Sequence, residues 1–141
     1  MNFADMPGCI CGNLRKTTRV VTQFYDQRLQ TTGLRTTQCA LLHSILIHEN
    51  STVGELAESL LMDQSTITRN LEVLKRHGFI TSTPTAHDGR IKMVVITPAG
   101  KNILEEALPL WEDAQCEIKE KLGRHFDGFL LTLQAINERV R

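Results

Sequence analysis

The stretch from Thr52 to Gly78 constrains the fold most, because it has the pattern of two short helices joined by a tight corner. Thr52 and Glu55 have the spacing of a capping box, and Asp63 is a suitable N-cap for a second helix. Gly78 is placed to end that helix in the left-handed conformation. One apolar stripe in each helix predicts packing on a shared core: Val53, Leu56, Ala57, Leu60 and Leu61 in the first, and Ile67, Leu71 and Leu74 in the second.

The opposite side of the second helix carries hydrogen-bonding side chains: Gln64, Ser65, Thr68, Arg69, Glu72, Lys75 and Arg76. A short helix, a tight turn and a helix with a polar outer face form a helix-turn-helix, whose second helix enters the major groove of DNA. The alternative is a polar helix face that only meets solvent. Such a face usually carries more Glu and Lys, which favours the first interpretation.

Two β-forming segments, residues 79–83 and 91–97, follow this helix directly, with a turn-rich stretch between them. They predict a β-hairpin with Arg90 at its tip, which makes the region a winged helix. A narrow minor groove has a strong negative potential that attracts arginine, so we expect Arg90 there. We expect Asp88 to support the wing through Arg69 or Arg90, and the sequence leaves the two partners open.

Long helices are predicted on both sides of this region. The first runs from about Cys11 to Gln30 and stops near Gly33, and a second runs from Thr36 through Ile47. Thr97 and Pro98 form a helix start, and Pro109 should kink that helix or mark an irregularity. The apolar stripes near the carboxyl end exceed what a winged helix needs for itself, which predicts a partner subunit: Trp111, Phe126, Phe129, Leu130, Leu133, Ile136 and Val140.

The charge of the chain is balanced, with 16 basic and 16 acidic residues, which argues against a strongly basic nucleic-acid binder. Its distribution weakens that objection. Basic residues outnumber acidic ones in 13–35 and 63–92, and the balance reverses in 98–123. A basic DNA-facing side would produce this pattern, and so would charges that alternate along solvated faces.

The length of 141 residues predicts one domain, residues 1–141. Apolar runs stay well short of the roughly 20 residues that a membrane helix needs. The first residues lack the pattern of a secretory signal, so we expect a cytoplasmic protein. We predict no enzyme, because the sequence has no nucleophile elbow, phosphate-binding glycine loop or metal-binding helix motif.

The spacing of the four cysteines matches no zinc motif, and we expect neither a metal nor a cofactor. Cys39 lies among apolar residues and is interpreted as a small buried side chain. Cys9 and Cys11 lie close to Arg15 and Lys16, and positive charge at a helix start favours the reactive thiolate. We interpret this pair as incidental thiols, with a redox role as the alternative.

Several segments in this order resemble the MarR family of bacterial transcription regulators: "STITRNLEVLKRHGFI", then "HDGR", then "ITPAGKNIL". "LRKTTRVVTQFYDQRL" and "GLRTTQCALL" resemble the first two helices of that family, so the resemblance runs from about Cys11 onward. It implies a mainly α fold with a small β-hairpin. Residues 36–97 would form the winged helix-turn-helix lobe, and residues 11–32 and 98–141 the dimerisation helices.

The resemblance also implies a function, namely a homodimeric regulator that binds a pseudo-palindromic double-stranded DNA operator, represses transcription and is released by a small aromatic or anionic effector. We expect Ser65, Thr66 and Arg69 to reach base edges. Gln64, Thr68 and Arg76 are expected on bases or phosphates, and Arg90 in the minor groove. Two alternatives stay open. One is a redox-sensing regulator of the same fold that uses Cys9 and Cys11. The other is a winged-helix module that binds protein, against which the three arginines argue.

Overall fold

The computed structural model describes residues 8–85, 87 and 89–141. Six α-helices and a small antiparallel sheet account for most of them, which confirms the predicted fold class. Their bounds are α1 Ile10–Leu29, α2 Thr36–Ile47, β1 Ser51–Thr52, α3 Val53–Ser59, α4 Gln64–Arg76, β2 Ile80–Pro84, β3 Lys92–Ile96, α5 Pro98–Leu122 and α6 Phe126–Arg139. Short 3-10 turns follow α1 and precede α6. Among the described residues, no helix is long and apolar enough to cross a membrane.

The ends of α3 and α4 form as the sequence predicts. The Thr52 hydroxyl accepts from the Glu55 backbone N–H at 3.2 Å, and the Glu55 carboxylate accepts from the Thr52 N–H at 3.0 Å. Asp63 accepts from the Thr66 N–H at 2.8 Å. Gly78 has a φ of +76°, the left-handed region in which glycine is favoured. Each of these contacts satisfies a backbone group that a helix end leaves unpaired.

Helix α2 lies at the centre of the core and contacts α1, α5 and β3. The side chains that are almost completely buried come from several different helices and the sheet: Leu29, Leu42, Ile45, Leu56, Ile67, Leu74 and Val94. One continuous core therefore joins the helix-turn-helix to the long helices, as expected for a single hydrophobic cluster in a domain of this size.

Two local predictions were wrong. Leu61 does not share the buried stripe of α3. It is 51% exposed and has a φ of +53°, because the helix ends before it and the chain turns there towards α4. Residues 51–52, just before the helix-turn-helix, form a short strand in which Ser51 pairs with Val94. The sheet therefore has three strands in the order β1-β3-β2, where a hairpin alone was predicted.

Helix α5 continues through Pro109 as one element, although proline cannot donate the backbone hydrogen bond at that position. It packs along α1, and two polar contacts join the two helices. The Tyr25 hydroxyl donates to the Gln115 side chain, and Arg28 forms an ion pair with Glu117. Burial raises the pKa of Tyr25, which keeps its phenol protonated and able to donate.

The start of α5 is fixed to the end of α4. The Thr97 N–H donates to the Phe79 carbonyl at 3.0 Å, and the Thr97 hydroxyl donates to the Gly78 carbonyl at 2.6 Å. Gly100 is buried against the same segment, where an added Cβ would lie 2.2 Å from the Phe79 oxygen and 2.7 Å from Ile96 Cγ1. The absence of a side chain at Gly100 therefore permits this close approach and sets the position of α4 relative to α5.

Candidate nucleic-acid interface

Helix α4 separates its residues between two faces. Ile67, Leu71 and Leu74 are buried against the core. The opposite face is exposed and carries most of the predicted contact residues: Gln64, Ser65, Thr68, Arg69 and Arg76. Thr66, also predicted to reach bases, is half-buried. The structure thus brings five predicted residues together on one solvent-facing surface, which we call the α4 face.

Asp63 organises the first turn of α4. Its Oδ1 accepts from the Ser65 hydroxyl at 2.6 Å and from the Thr66 N–H at 2.8 Å, and its Oδ2 accepts from the Thr66 hydroxyl at 2.8 Å. The Ser65 bond, followed by those from Thr66, lowers the pKa of Asp63 from 3.8 to about 2. The sequence identified Asp63 as an N-cap, and the two hydroxyl partners were missed. The signal for them was a Ser and a Thr within three residues of an Asp at a helix start.

Helices α3 and α4 meet closely at their amino ends. A Cβ at Gly54 would lie 3.3 Å from Nε2 of Gln64, so the Gln64 side chain reaches back over the first turn of α3. Gln64 therefore lies at the edge of the α4 face next to α3, whereas Thr68 and Arg69 lie further along the exposed side of the helix.

The wing follows α4 directly. β2 and β3 pair in antiparallel register from Ile80 opposite Ile96 to Pro84 opposite Lys92, and the Thr85 N–H donates to the Ile91 carbonyl at 2.8 Å. Arg90 is exposed in the connecting turn, as predicted. Asp88 lies outside the described residues, so its role in supporting the wing stays a prediction.

A groove of about 700 Å³ lies between the amino end of α1 and the carboxyl end of α6. Its walls are mainly apolar: Ile10, Cys11, Leu14, Ile136 and Val140, with Arg15, Thr18 and Arg19 along the rim. Val140 is 78% exposed, and Leu131 on α6 is 67% exposed. We call this groove and the exposed apolar residues of α6 the terminal face. Phe126 does not belong to it, contrary to prediction, because it is buried within its own chain beneath Lys119.

The cysteines fall into two environments. Cys39, predicted to be buried, is half-buried against the core, and burial raises the pKa of its thiol. Cys9 lies at the N-cap position of α1 and Cys11 in its first turn, and both are exposed. Among the described residues, no three His, Cys, Asp or Glu side chains are grouped as metal ligands.

A short helix, a tight turn, a second helix with an exposed polar face and a β-wing define the winged helix-turn-helix class. A family model described as "MarR family" matches residues 32–91 of the chain. The crystal structure of the M. tuberculosis transcriptional regulator MosR in complex with DNA is 33% identical. That match covers 94% of this chain and 98% of MosR, with a TM-score of 0.82.

An organic hydroperoxide resistance transcriptional regulator of Bacillus subtilis is 27% identical over 101 residues, which are 72% of this chain and 69% of that protein. The E. coli regulator MarR with operator DNA is 21% identical, with a TM-score of 0.83 and coverage of 95% and 96%, and this likeness shows the fold alone. On the identity and coverage of the M. tuberculosis relative, the chain belongs to the MarR family of transcriptional regulators, as the sequence predicts.

Proposed function

We propose that the protein is a homodimeric repressor that binds a pseudo-palindromic double-stranded DNA operator. The observation that carries this proposal is the α4 face, a polar surface held opposite a buried stripe and followed directly by a wing with an exposed arginine. A helix presented in this way fits the major groove, and the adjacent wing then lies along the neighbouring minor groove. The M. tuberculosis relative is named as a complex with DNA, which supports the same use of this surface.

Charge on the α4 face suits a phosphate backbone. Arg69, Lys75 and Arg76 are exposed on this helix, with Glu72 as the opposing exposed acid. Arg69 lies near the amino end of α4 and is assigned to base edges, because arginine grips guanine O6 and N7 together. Gln64 and Thr68 are assigned to bases or phosphates, and Arg76 at the far end to a phosphate. Arg90 is assigned to the minor groove.

The terminal face supports the homodimer. Apolar residues at both ends of the chain are exposed around one groove, and a second copy would remove them from water. We therefore assign residues 36–97 to the DNA-binding lobe and residues 11–32 and 98–141 to dimerisation. A two-fold dimer would present two α4 helices to successive major grooves about 34 Å apart, which is why the operator is expected to be pseudo-palindromic.

Selection of bound fragments from genomic DNA tests the proposal directly. The expected result is a small set of fragments that share an inverted repeat, protected over two half-sites about one helical turn apart. Retention of all fragments equally, at every salt concentration, would contradict a sequence-specific regulator. Placing a selected fragment upstream of a reporter gene then distinguishes repression from activation.

Release by a small aromatic or anionic compound is part of the proposal and rests on family membership. One relative is named for regulation of its DNA binding by 6-hydroxynicotinic acid and another as a complex with its natural ligand. They are 18% and 15% identical to this chain, so they share the fold alone. Screening compounds for release of a selected fragment tests this part separately. We propose no enzymatic reaction, since the family consists of transcriptional regulators, and we expect the protein to act in the cytoplasm, where bacterial DNA lies.

The second candidate function is thiol-based redox sensing within the same fold. Cys9 and Cys11 are exposed, Cys11 lines the groove of the terminal face, and one relative is named for organic hydroperoxide resistance. A peroxide would convert one thiolate to a sulfenic acid with loss of an alcohol, and the second thiol would then close a disulfide with loss of water. Cys9 has extended backbone at the N-cap and Cys11 lies in the first turn of α1, and a disulfide between them requires their Cβ atoms to come within about 4 Å of each other.

The redox candidate is tested by comparing the wild type with a Cys9→Ser, Cys11→Ser variant bound to a selected fragment, with and without an organic hydroperoxide. Complete release of the wild type and none of the variant would establish thiol sensing. Equal behaviour of the two proteins would leave the pair as incidental thiols.

A further inference from the structure

The carboxylate of Asp63 accepts three hydrogen bonds at the start of α4. The backbone N–H of Thr66 donates to one carboxylate oxygen and the Thr66 hydroxyl to the other, each at 2.8 Å. Two bonds from one residue fix the plane of the carboxylate against the helix. The oxygen that accepts from the Thr66 N–H also lies 2.6 Å from Oγ of Ser65, a side chain that is exposed on the α4 face.

The proton in the bond between Ser65 and Asp63 belongs to Ser65. The pKa of Asp63 is lowered to about 2, so the carboxylate is ionised at neutral pH and can only accept. A serine hydroxyl has one proton and two lone pairs. With that proton held by Asp63, Oγ of Ser65 can act towards any other group only as an acceptor.

The four bases differ in whether their edges present hydrogen-bond donors or acceptors in the major groove. In the major groove, adenine N6 and cytosine N4 donate, whereas guanine O6 and N7 and thymine O4 accept, as do phosphate oxygens. We propose that Asp63 is a specificity-determining residue, which orients the Ser65 hydroxyl to accept from adenine or cytosine and prevents it from donating to guanine, thymine or phosphate. This inference rests on the proposed function, because it requires the amino end of α4 to lie in the major groove.

The test is selection from a library of randomised DNA duplexes, followed by affinity measurements on pairs of duplexes that differ at one base pair. The ratio of two affinities measured on the same protein preparation does not depend on the folded fraction, so a loss of stability does not confuse the result. Four proteins are compared: the wild type, Ser65→Ala, Asp63→Ala and Asp63→Asn. Asp63→Ala removes the charge and both acceptor oxygens. Asp63→Asn removes the charge and keeps one acceptor oxygen for Ser65.

The wild type is expected to prefer adenine or cytosine by about tenfold at one position of each half-site. Ser65→Ala should abolish this preference at that position and leave the other positions unchanged. Asp63→Ala should admit guanine or thymine there, because the released hydroxyl can donate. Asp63→Asn should bind all duplexes more tightly through the loss of a negative charge and keep the wild-type preference.

Three outcomes would overturn the inference: an unchanged preference in Ser65→Ala, an unchanged preference in Asp63→Ala, or a preference relaxed equally in Asp63→Ala and Asp63→Asn. The last result would assign the effect to charge and not to the acceptor. A wild type that selects no sequence at all would instead contradict the proposed function itself. A Thr52→Ala variant, which loses the cap of α3 and keeps Asp63, controls for the loss of a helix cap and should retain the full preference.

Discussion

The α4 face and the terminal face differ in the side chains that they expose to solvent, which are polar on the first and apolar on the second. The α4 face consists of exposed polar residues, the apolar residues of α4 are buried on the opposite side, and Ser65 is already bonded to Asp63. On the terminal face large apolar residues such as Leu131 and Val140 meet solvent. The α4 face leaves no apolar residues to be buried by a partner, and its polar and basic side chains suit a charged polymer. The second is an exposed apolar surface of the kind that marks an interface with another apolar surface.

The largest effect is expected from removing the terminal face. Deletion of residues 125–141 removes α6 and one wall of the groove, so dimerisation and tight DNA binding should both disappear. Sedimentation at several protein concentrations measures the first, and titration of a selected duplex the second. A truncated protein that still sediments as a dimer would show that the terminal face is not the interface.

Gly100→Ala tests the close packing between the start of α5 and the segment that follows α4. The new Cβ would lie 2.2 Å from the Phe79 carbonyl oxygen, so either α5 or the end of α4 must move. We expect a loss of about 3 kcal/mol in the free energy of unfolding, measured in urea at one fixed protein concentration. Gly12→Ala on α1 is the matched control, since the nearest atom to its Cβ would be 4.0 Å away, and it should be neutral or slightly stabilising. Equal losses in both variants would argue against a special role for the close packing at Gly100.

Arg69 and Arg90 are expected to contribute differently to DNA binding: Arg69 to sequence recognition and Arg90 mainly to affinity. Arg69→Ala should reduce operator affinity by about 1–3 kcal/mol and relax the sequence preference, because it removes a grip on a base edge. Arg90→Ala should weaken binding to operator and random duplexes alike. It should also lower the salt slope by roughly one unit for each half-site contact that is lost. Both variants are titrated on both duplexes over a range of salt concentrations. A changed major-groove sequence in Arg90→Ala, with none in Arg69→Ala, would reverse the two assignments.

A smaller effect is expected at the turn between α3 and α4. Leu61 has a φ of +53°, a conformation that costs a leucine about 1 kcal/mol and costs glycine little. Leu61→Gly should therefore raise the free energy of unfolding by about 0.5 kcal/mol, after allowing for the greater chain entropy of glycine in the unfolded state. Thermal unfolding measures this change. A clear loss of stability would mean that the exposed leucine packs on something that compensates its strain.

The smallest effect is expected in the stability of the protein at acid pH. The pKa of Asp63 is lowered from 3.8 to about 2 by the Ser65 and Thr66 hydrogen bonds, so its contribution to stability is fully present above pH 3.8 and disappears as the pH falls through about 2. Stability of the wild type and of Asp63→Asn, measured from pH 5 to pH 2, should converge towards the acid end. Parallel curves over that range would show that the carboxylate is not held as described.

The sequence by itself determined the helix-turn-helix, because local chemistry specifies it. Thr52 with Glu55, Asp63 and Gly78 fix the helix ends through short-range contacts, and the periodicity of Ile67, Leu71 and Leu74 fixes which face is buried. These features act within a few residues along the chain, so a pattern of letters carries them. The family followed from the same segments in the same order, and the polar α4 face followed from the periodicity.

Only the tertiary structure decided the features that depend on residues far apart. The two-residue strand at Ser51 is too short to show alternation and exists because β3 pairs with it. Phe126 matches the apolar stripe of α6 in sequence, but its own chain buries it. The role of Gly100 becomes visible only when Phe79 is brought against it. In each case the structure depends on a contact between segments that are far apart in the sequence. The local sequence does not specify which segments meet, so it could not predict these features.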